Sequence, residues 1–318
     1  MDPKSNMDFL KPKLFLFGGC DLRDIIKDDA LQRDYNVIDF SVNQQEIDNS
    51  LIDFSHASFP EHGTSIMALY AKPGPIAQRV LDTLATAKKR DMIMNRSVFN
   101  EILKFPYLDF YKKHAGPNDY LLISFSPEIY TKYASQGEIF TCMPAMGSLE
   151  NPDNILHWIY KEYLQKSELL MPFDTKESIE ITSQIMIDFA RDLYEIFQDR
   201  IILVKTHFSN YVLSKDSKIT KIQSGPSNLL YYRQTKIMTE PTDLSYVERL
   251  SMIITNKFRT RYKSDLTLIQ LDEPVFIDDN HRWGNSQFHI DADSRNKIAK
   301  LIRKELQQRI PKIEHSFY

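Results

Sequence analysis

The sequence predicts a three-layer α/β/α fold built on a mainly parallel five-stranded sheet, and three observations carry that expectation. Apolar runs of strand length alternate with stretches of helical apolar spacing along the chain, as a parallel sheet covered on both faces requires. With 318 residues, 42% of them hydrophobic, the chain can bury a substantial core. No internal repeat and no clean linker divides it, so residues 1–318 read as one domain, with irregular insertions near 41–75 and 209–240.

The elements follow in order. Leu14-Phe-Leu-Phe17 is a short buried strand, followed by a helical stretch over about 21–32 and a second strand over 36–40. Residues 41–75 are irregular and end in Lys72-Pro73-Gly74-Pro75, a strong turn signal. Helices are predicted over 76–90 and 99–114, the second interrupted at Pro106. Asp119-Tyr-Leu-Leu-Ile-Ser-Phe125 is the third strand, stopped by Ser126-Pro127-Glu128 because proline cannot continue a ladder. Helical spacing returns over 154–167 and 177–198, the latter clustering Ile179, Ile181, Ile185, Ile187, Phe189, Leu193 and Ile196 on one face. Arg200-Ile-Ile-Leu-Val-Lys205 is the fourth strand, 209–240 a polar excursion or lid, 244–262 a helix, 266–271 the fifth strand and 291–308 the closing helix.

Bulk composition excludes several classes. A net charge of −3 and a pI near 6.3 give no electrostatic case for nucleic acid or an anionic membrane. The apolar run at 14–17 is far too short for a signal or a membrane span. Cys20 and Cys142 are the only cysteines, so no disulfide framework is implied and a cytoplasmic location is expected. Gly18-Gly19 lacks the third glycine of a dinucleotide fingerprint, and no P-loop lysine follows. His281 and His289 match no established metal-ligand spacing, so no metal or cofactor is expected.

In parallel sheets, ligands bind beyond the C-terminal strand ends. That rule selects Cys20, Ser126, Glu128, Thr206 with His207, and the polar run after Leu271. Cys20 sits at a strand–tight turn–helix junction, where the helix start favours a thiolate and Arg23 lies about one turn away. The second dense stretch runs from Asp278 through His281 to His289 and Asp291. Asp278, three residues before His281, is placed to orient an imidazole that takes a proton from a nucleophile. Read blandly, Cys20 is buried filler and the histidine stretch a polar loop.

These residues carry a resemblance. Phe17-Gly18-Gly19-Cys20 resembles the first block of the SGNH/GDSL hydrolase superfamily, whose fold is flavodoxin-like, and Asp278-Asp-Asn-His281 resembles its D-x-x-H block. The chain is similar still more closely to a bacterial branch with no assigned activity, the domain-of-unknown-function family numbered 6270. Members of that branch open with G-S-C-x-x-R-D and close with D-x-x-H-K-W-G-x-x-x-F-H-Y. Here the same positions read Gly18-Gly19-Cys20-Asp21-Leu22-Arg23-Asp24 and Asp278-x-x-His281-Arg282-Trp283-Gly284-x-x-x-Phe288-His289-Ile290. The middle segment, Asp119 to Glu128, resembles D-Y-L-I-I-D-F-x-x-E-R, and Arg96 falls where an arginine precedes it. Two departures stand out: Gly19 replaces the family serine, and Ser124 replaces an aspartate.

The resemblance implies a cysteine-dependent esterase or O-acyltransferase, with Cys20 as nucleophile and His281 as base, oriented by Asp278. His289 is the alternative base, and otherwise holds substrate or the loop. The oxyanion hole is expected from the Cys20 backbone N–H and a side-chain donor from the loop after the third strand, Ser126 standing in by position for the absent G-x-N-D block, with Gly19 and Arg23 also among the substrate-binding or oxyanion residues. Glu128 is expected to order Arg23, Arg96 or a histidine, and His207 to touch substrate or serve structure. The implied substrate is a carbohydrate or acylated small molecule in bacterial surface polysaccharide metabolism, with an acyl donor and polysaccharide-assembly proteins as partners. The competing reading is an inactive SGNH-like scaffold that binds a glycan or a partner protein.

Overall fold

A computed structural model describes residues 11–38, 65–70, 74–86, 107–129, 132–135, 138–140, 151–159, 161–162, 168–170, 176–209, 211–214, 218–221, 245–278 and 289–309. Ten strands lie among them: β1 (Lys13–Phe17), β2 (Asn36–Ile38), β3 (Tyr120–Ile123), β4 (Lys132–Ser135), β5 (Glu138–Phe140), β6 (Glu168–Leu170), β7 (Ile201–Val204), β8 (Tyr211–Leu213), β9 (Ile219–Lys221) and β10 (Thr267–Ile269). The helices used below are α1 (Cys20–Ile25), α2 (Asp29–Asp34), α3 (Ile66–Tyr70), α4 (Pro75–Leu84), α5 (Tyr107–His114), α6 (Lys176–Phe197), α7 (Ser245–Lys257) and α8 (Ala292–Arg309).

The main sheet has the order β10-β7-β3-β1-β2, and every neighbouring pair is parallel. The apolar runs became its strands because each is covered on both sides: Leu14, Phe15, Leu121, Leu122, Ile123, Ile201 and Ile202 are all fully buried. Phe15 and Phe17 point to the same side, two residues apart on a strand. Phe15 meets Tyr111 and Phe197 edge-on at 5.6 and 5.7 Å, and Phe17 meets Phe189 at 5.0 Å. That side carries α5, α6 and α7; α8 packs on α1 against the other, giving three layers. Each helix turns one stripe inward. On α6 these are Met186, Phe189, Ala190, Leu193 and Phe197, and on α8 Ile298, Ala299, Ile302 and Leu306. Asp119 ties the entrances of two strands together, accepting from the backbone of Lys13 and of Gly116 at 2.7 Å each.

Several expectations need correction. The single helix over 21–32 is two, α1 and α2, because Asp28 turns its carboxylate onto the N–H groups of Ala30 and Leu31 and starts a new helix. Ile179 and Ile181 at the start of α6 are 42% and 38% exposed, so the apolar face is covered only further along. Of the helix expected over 154–167, His157–Ile159 is α-helical and 161–162 are π-helical, residues 160 and 163–167 lie outside the described residues, and β6 begins at Glu168. Two antiparallel sheets were not anticipated: β5-β4-β6, and the hairpin β8-β9 inside the polar excursion. A helix, α3, occupies the end of the irregular segment 41–75. Residues 39–64, 71–73, 87–106 (Arg96 and the start of the helix expected over 99–114 among them) and 222–244 lie outside the described residues. Among the described residues no helix is long and apolar enough to cross a membrane.

Candidate functional site

In this strand order the chain leaves β1 for one side of the sheet and β3 for the other, and the connections diverge just beyond Phe17 and Ile123. Such a switch point opens a crevice at the C-terminal edge. Cys20 stands there, as the first residue of α1. The turn that delivers it is packed tightly against the segment after β3, whose first N–H, on Ser124, bonds the carbonyl of Phe17 at 2.8 Å. A Cβ on Gly18 would lie 2.5 Å from Ser124 Oγ, and one on Gly19 would overlap Ser126 Oγ. Gly19 is in extended backbone, φ −104° and ψ −162°, so the requirement for glycine is one of space and not of backbone strain. A serine at position 19, as in the resembled family, would need Ser126 to move.

The group that fills the crevice wall is one that sequence reasoning missed. Asp21, next to Cys20, accepts hydrogen bonds from Ser126 Oγ at 2.5 Å and from Ser124 Oγ at 3.1 Å. Burial pushes its carboxyl above the ordinary carboxylate range and the charge of Asp24 adds to this, against the opposing pull of Ser126, the Leu22 N–H and Ser124. A carboxylate at position 124, usual in the resembled family, would face Asp21 across this contact. The chain keeps one carboxyl here and carries it on the helix. The paired exchange at 19 and 124 was the available signal.

The other residues singled out from the sequence divide between this crevice and structural duty. Ser126, expected as an oxyanion donor, is buried, and its hydroxyl donates to Asp21. Glu128, buried, accepts from Ser65 Oγ at 3.0 Å and from the N–H of Ile66, holding the start of α3. His207 Nε2 accepts the N–H of Leu271 at 2.9 Å, clamping the end of β7 to the segment after β10. Burial holds its imidazole below the ordinary histidine value, and the Lys205 charge adds to this against a hydrogen bond to the Lys205 backbone. Arg23 is half-buried on α1, its backbone N–H on the Gly19 carbonyl at 3.3 Å.

The C-terminal motif comes to the same helix. Residues 276–278 pair with 289–291: Asp278 N–H bonds the carbonyl of His289 at 2.8 Å and Asp291 N–H that of Phe276 at 2.9 Å. His289 is therefore buried beside the backbone of Asp278, while His281 lies outside the described residues. Asp278 Oδ2 accepts from Arg295 of α8 at 3.1 Å. Asp291 caps α8 through Ser294; burial pushes its carboxyl up, but the bonds from Ser294, Phe276 and Asp293 outweigh this and leave it below the usual range. Asp24 and Asp278 line one cleft of about 620 Å³, so blocks from opposite ends of the chain meet at α1. Among the described residues no cluster of three His, Cys, Asp or Glu is placed to hold a metal ion. Comparison with protein-family models, curated proteins and solved structures found no significant match.

Proposed function

We propose that the chain is an SGNH-like esterase or O-acyltransferase that uses Cys20 as its nucleophile. The observation that carries the reading is the meeting of two motifs at one place. The Gly18-Gly19-Cys20 turn lies at the switch point, and Asp278 of the D-x-x-H block shares a cleft with Asp24 of the helix that Cys20 begins.

In this reading the Cys20 sulfur attacks the acyl carbonyl carbon while its proton passes to the imidazole of His281. The alcohol of the donor leaves with that proton, and a thioester remains on Cys20. Water or a sugar hydroxyl then attacks the thioester, gives its proton to the imidazole, and the thiolate departs. Asp278, fixed by Arg295, orients the histidine. His289, whose backbone pairs with that of Asp278, is the alternative base. Asp21 positions the nucleophile-bearing turn through Ser124 and Ser126. A carbohydrate acceptor in surface polysaccharide metabolism follows from the resemblance alone.

One observation favours the scaffold reading instead: Ser126, Glu128 and His207 all spend their polar groups on internal bonds. Intact-protein mass after exposure to activated acyl esters and acyl thioesters separates the two. A covalent acyl adduct in the wild type, absent in Cys20→Ala and diminished in His281→Ala, is the expected result. No adduct, with Cys20 also inert to mild alkylation, would leave a non-catalytic glycan- or partner-binding scaffold.

A further inference from the structure

A second cavity lies at the C-terminal ends of β7 and β10, roofed by α7, with a volume of about 550 Å³. That is the size of a small-molecule site. Its wall is mainly apolar: Val247 and Met252 come from α7, Leu268 from β10, and Pro274 and Val275 from the segment that follows. Met252 and Leu268 are 62% and 43% exposed, a large apolar area left to solvent at the outermost strand of the sheet. The charges in its lining are paired: Lys205 with Glu248 at 3.3 Å, and Glu273 with Lys297 of α8 at 2.8 Å. His207, also in the wall, is held toward its neutral form by burial.

One polar group there has no use within the fold. Thr206, only 4% exposed, follows β7 by two residues and forms part of the wall, and its hydroxyl has no hydrogen-bond partner among the described residues. A buried hydroxyl without a partner is costly, and native structures seldom keep one without reason. The oxygen is closed to solvent, so a ligand oxygen at the cavity floor becomes its missing partner once the Thr206 side chain turns toward the space.

We propose that this cavity binds an uncharged alkyl or acyl chain carrying one hydrogen-bonding oxygen, anchored at Thr206 and enclosed by Val247, Met252 and Leu268. Resting on the acyl-transfer reading, the natural occupant is the chain of the acyl donor. The geometry agrees with that occupant: cavity and switch point share one edge of the sheet, two strands apart, and α7 packs directly on the turn at Ser126–Ile129.

The test uses octan-1-ol as probe on the full chain, followed by ligand-observed NMR and calorimetric titration. Saturable binding is expected, weakened at least tenfold by Ser251→Trp, which places an indole in the cavity from α7. Thr206→Val, which keeps the shape and removes the hydroxyl, is expected to weaken it several-fold. Thermal unfolding of each variant checks that it is folded, and the two variants act by different means, so failure of one to fold leaves the other. Absence of saturable binding, or equal binding by wild type and both folded variants, overturns the site. The occupant is tested separately by Cys20 acylation, where octanoyl donors should outpace acetyl donors and Ser251→Trp should lower that ratio. Equal rates, or no acylation at all, overturn the acyl-chain assignment. Octan-1-ol binding that survives in the absence of any acylation sustains the cavity while sinking the enzyme reading.

Discussion

Gly19→Ala is the sharpest probe of the crevice. The backbone at 19 accepts any residue, so the perturbation is purely steric. The new methyl would sit closer to Ser126 Oγ than the 3.0 Å that real Cβ contacts respect, and 3.3 Å from Asp21 Oδ1. Ser126 is 3% exposed, so its hydroxyl has nowhere to retreat without leaving Asp21. Overpacking of this kind costs about 1–3 kcal/mol. Losing a hydrogen bond to a buried carboxyl adds about 1–3 kcal/mol. The remedy lies in the same geometry: with the hydroxyl gone, the nearest atoms are Asp21 Oδ1 at 3.3 Å, which must give by a few tenths of an ångström, and Ser126 Cβ at 3.4 Å. Ser126→Ala alone should therefore cost about 1–3 kcal/mol for the lost bond, and adding Gly19→Ala to it should cost little more. Urea unfolding of the wild type, both single variants and the double variant closes the cycle. The coupling in favour of the double variant should equal the full cost of Gly19→Ala alone, about 2–6 kcal/mol from the two terms together. Additive losses, or a neutral Gly19→Ala, would refute the packing of the turn against the segment after β3.

Three further outcomes follow from buried groups. Asp21 is raised by burial, so the folded chain holds its proton longer than the unfolded chain; wild-type stability should fall relative to Asp21→Asn as pH rises above 3.8. A pH-independent difference in urea midpoints would remove Asp21 as the titrating group. His207 is lowered by burial, so its contribution is present above pH 6.5 and is lost as pH falls below that value. Thermal unfolding of His207→Gln should lack that acid-side loss, and an identical pH profile would sink the clamp. Glu128→Ala strands the buried hydroxyl of Ser65 and the N–H of Ile66, and should cost about 3 kcal/mol or more in urea unfolding; a loss under about 0.5 kcal/mol would show that α3 does not depend on this carboxylate.

The central strands could be read from the sequence because they are buried on both faces. Leu14-Phe-Leu-Phe17 and Ile201-Ile-Leu-Val204 are continuous apolar runs that need no partner to be recognised. The antiparallel strands could not, since Lys132-Tyr-Ala-Ser135 and Glu168-Leu-Leu170 are too short to show a period of two. The break between α1 and α2 was hidden for a similar reason: Asp28 is one acidic residue among Asp21, Asp24 and Asp29, and only its side-chain bonds mark it as a cap. The site follows the same logic. Cys20 could be placed because strand, glycine turn and helix are contiguous. The role of Asp21 could not be, because the two serines that define it lie more than one hundred positions away.

The meeting of the chain's two ends at α1 has a consequence for synthesis. β1 is made before its partner β3, which lies about a hundred residues further along, and well before α8, which packs on α1. Contacts of such long sequence separation form late because the loop between them must close before they repay it. The nascent chain therefore carries Cys20 for most of its elongation without Asp278 beside α1. The cleft lined by Asp24 of α1, Asp278 and Arg295 of α8 therefore has all its walls only after α8 has been made.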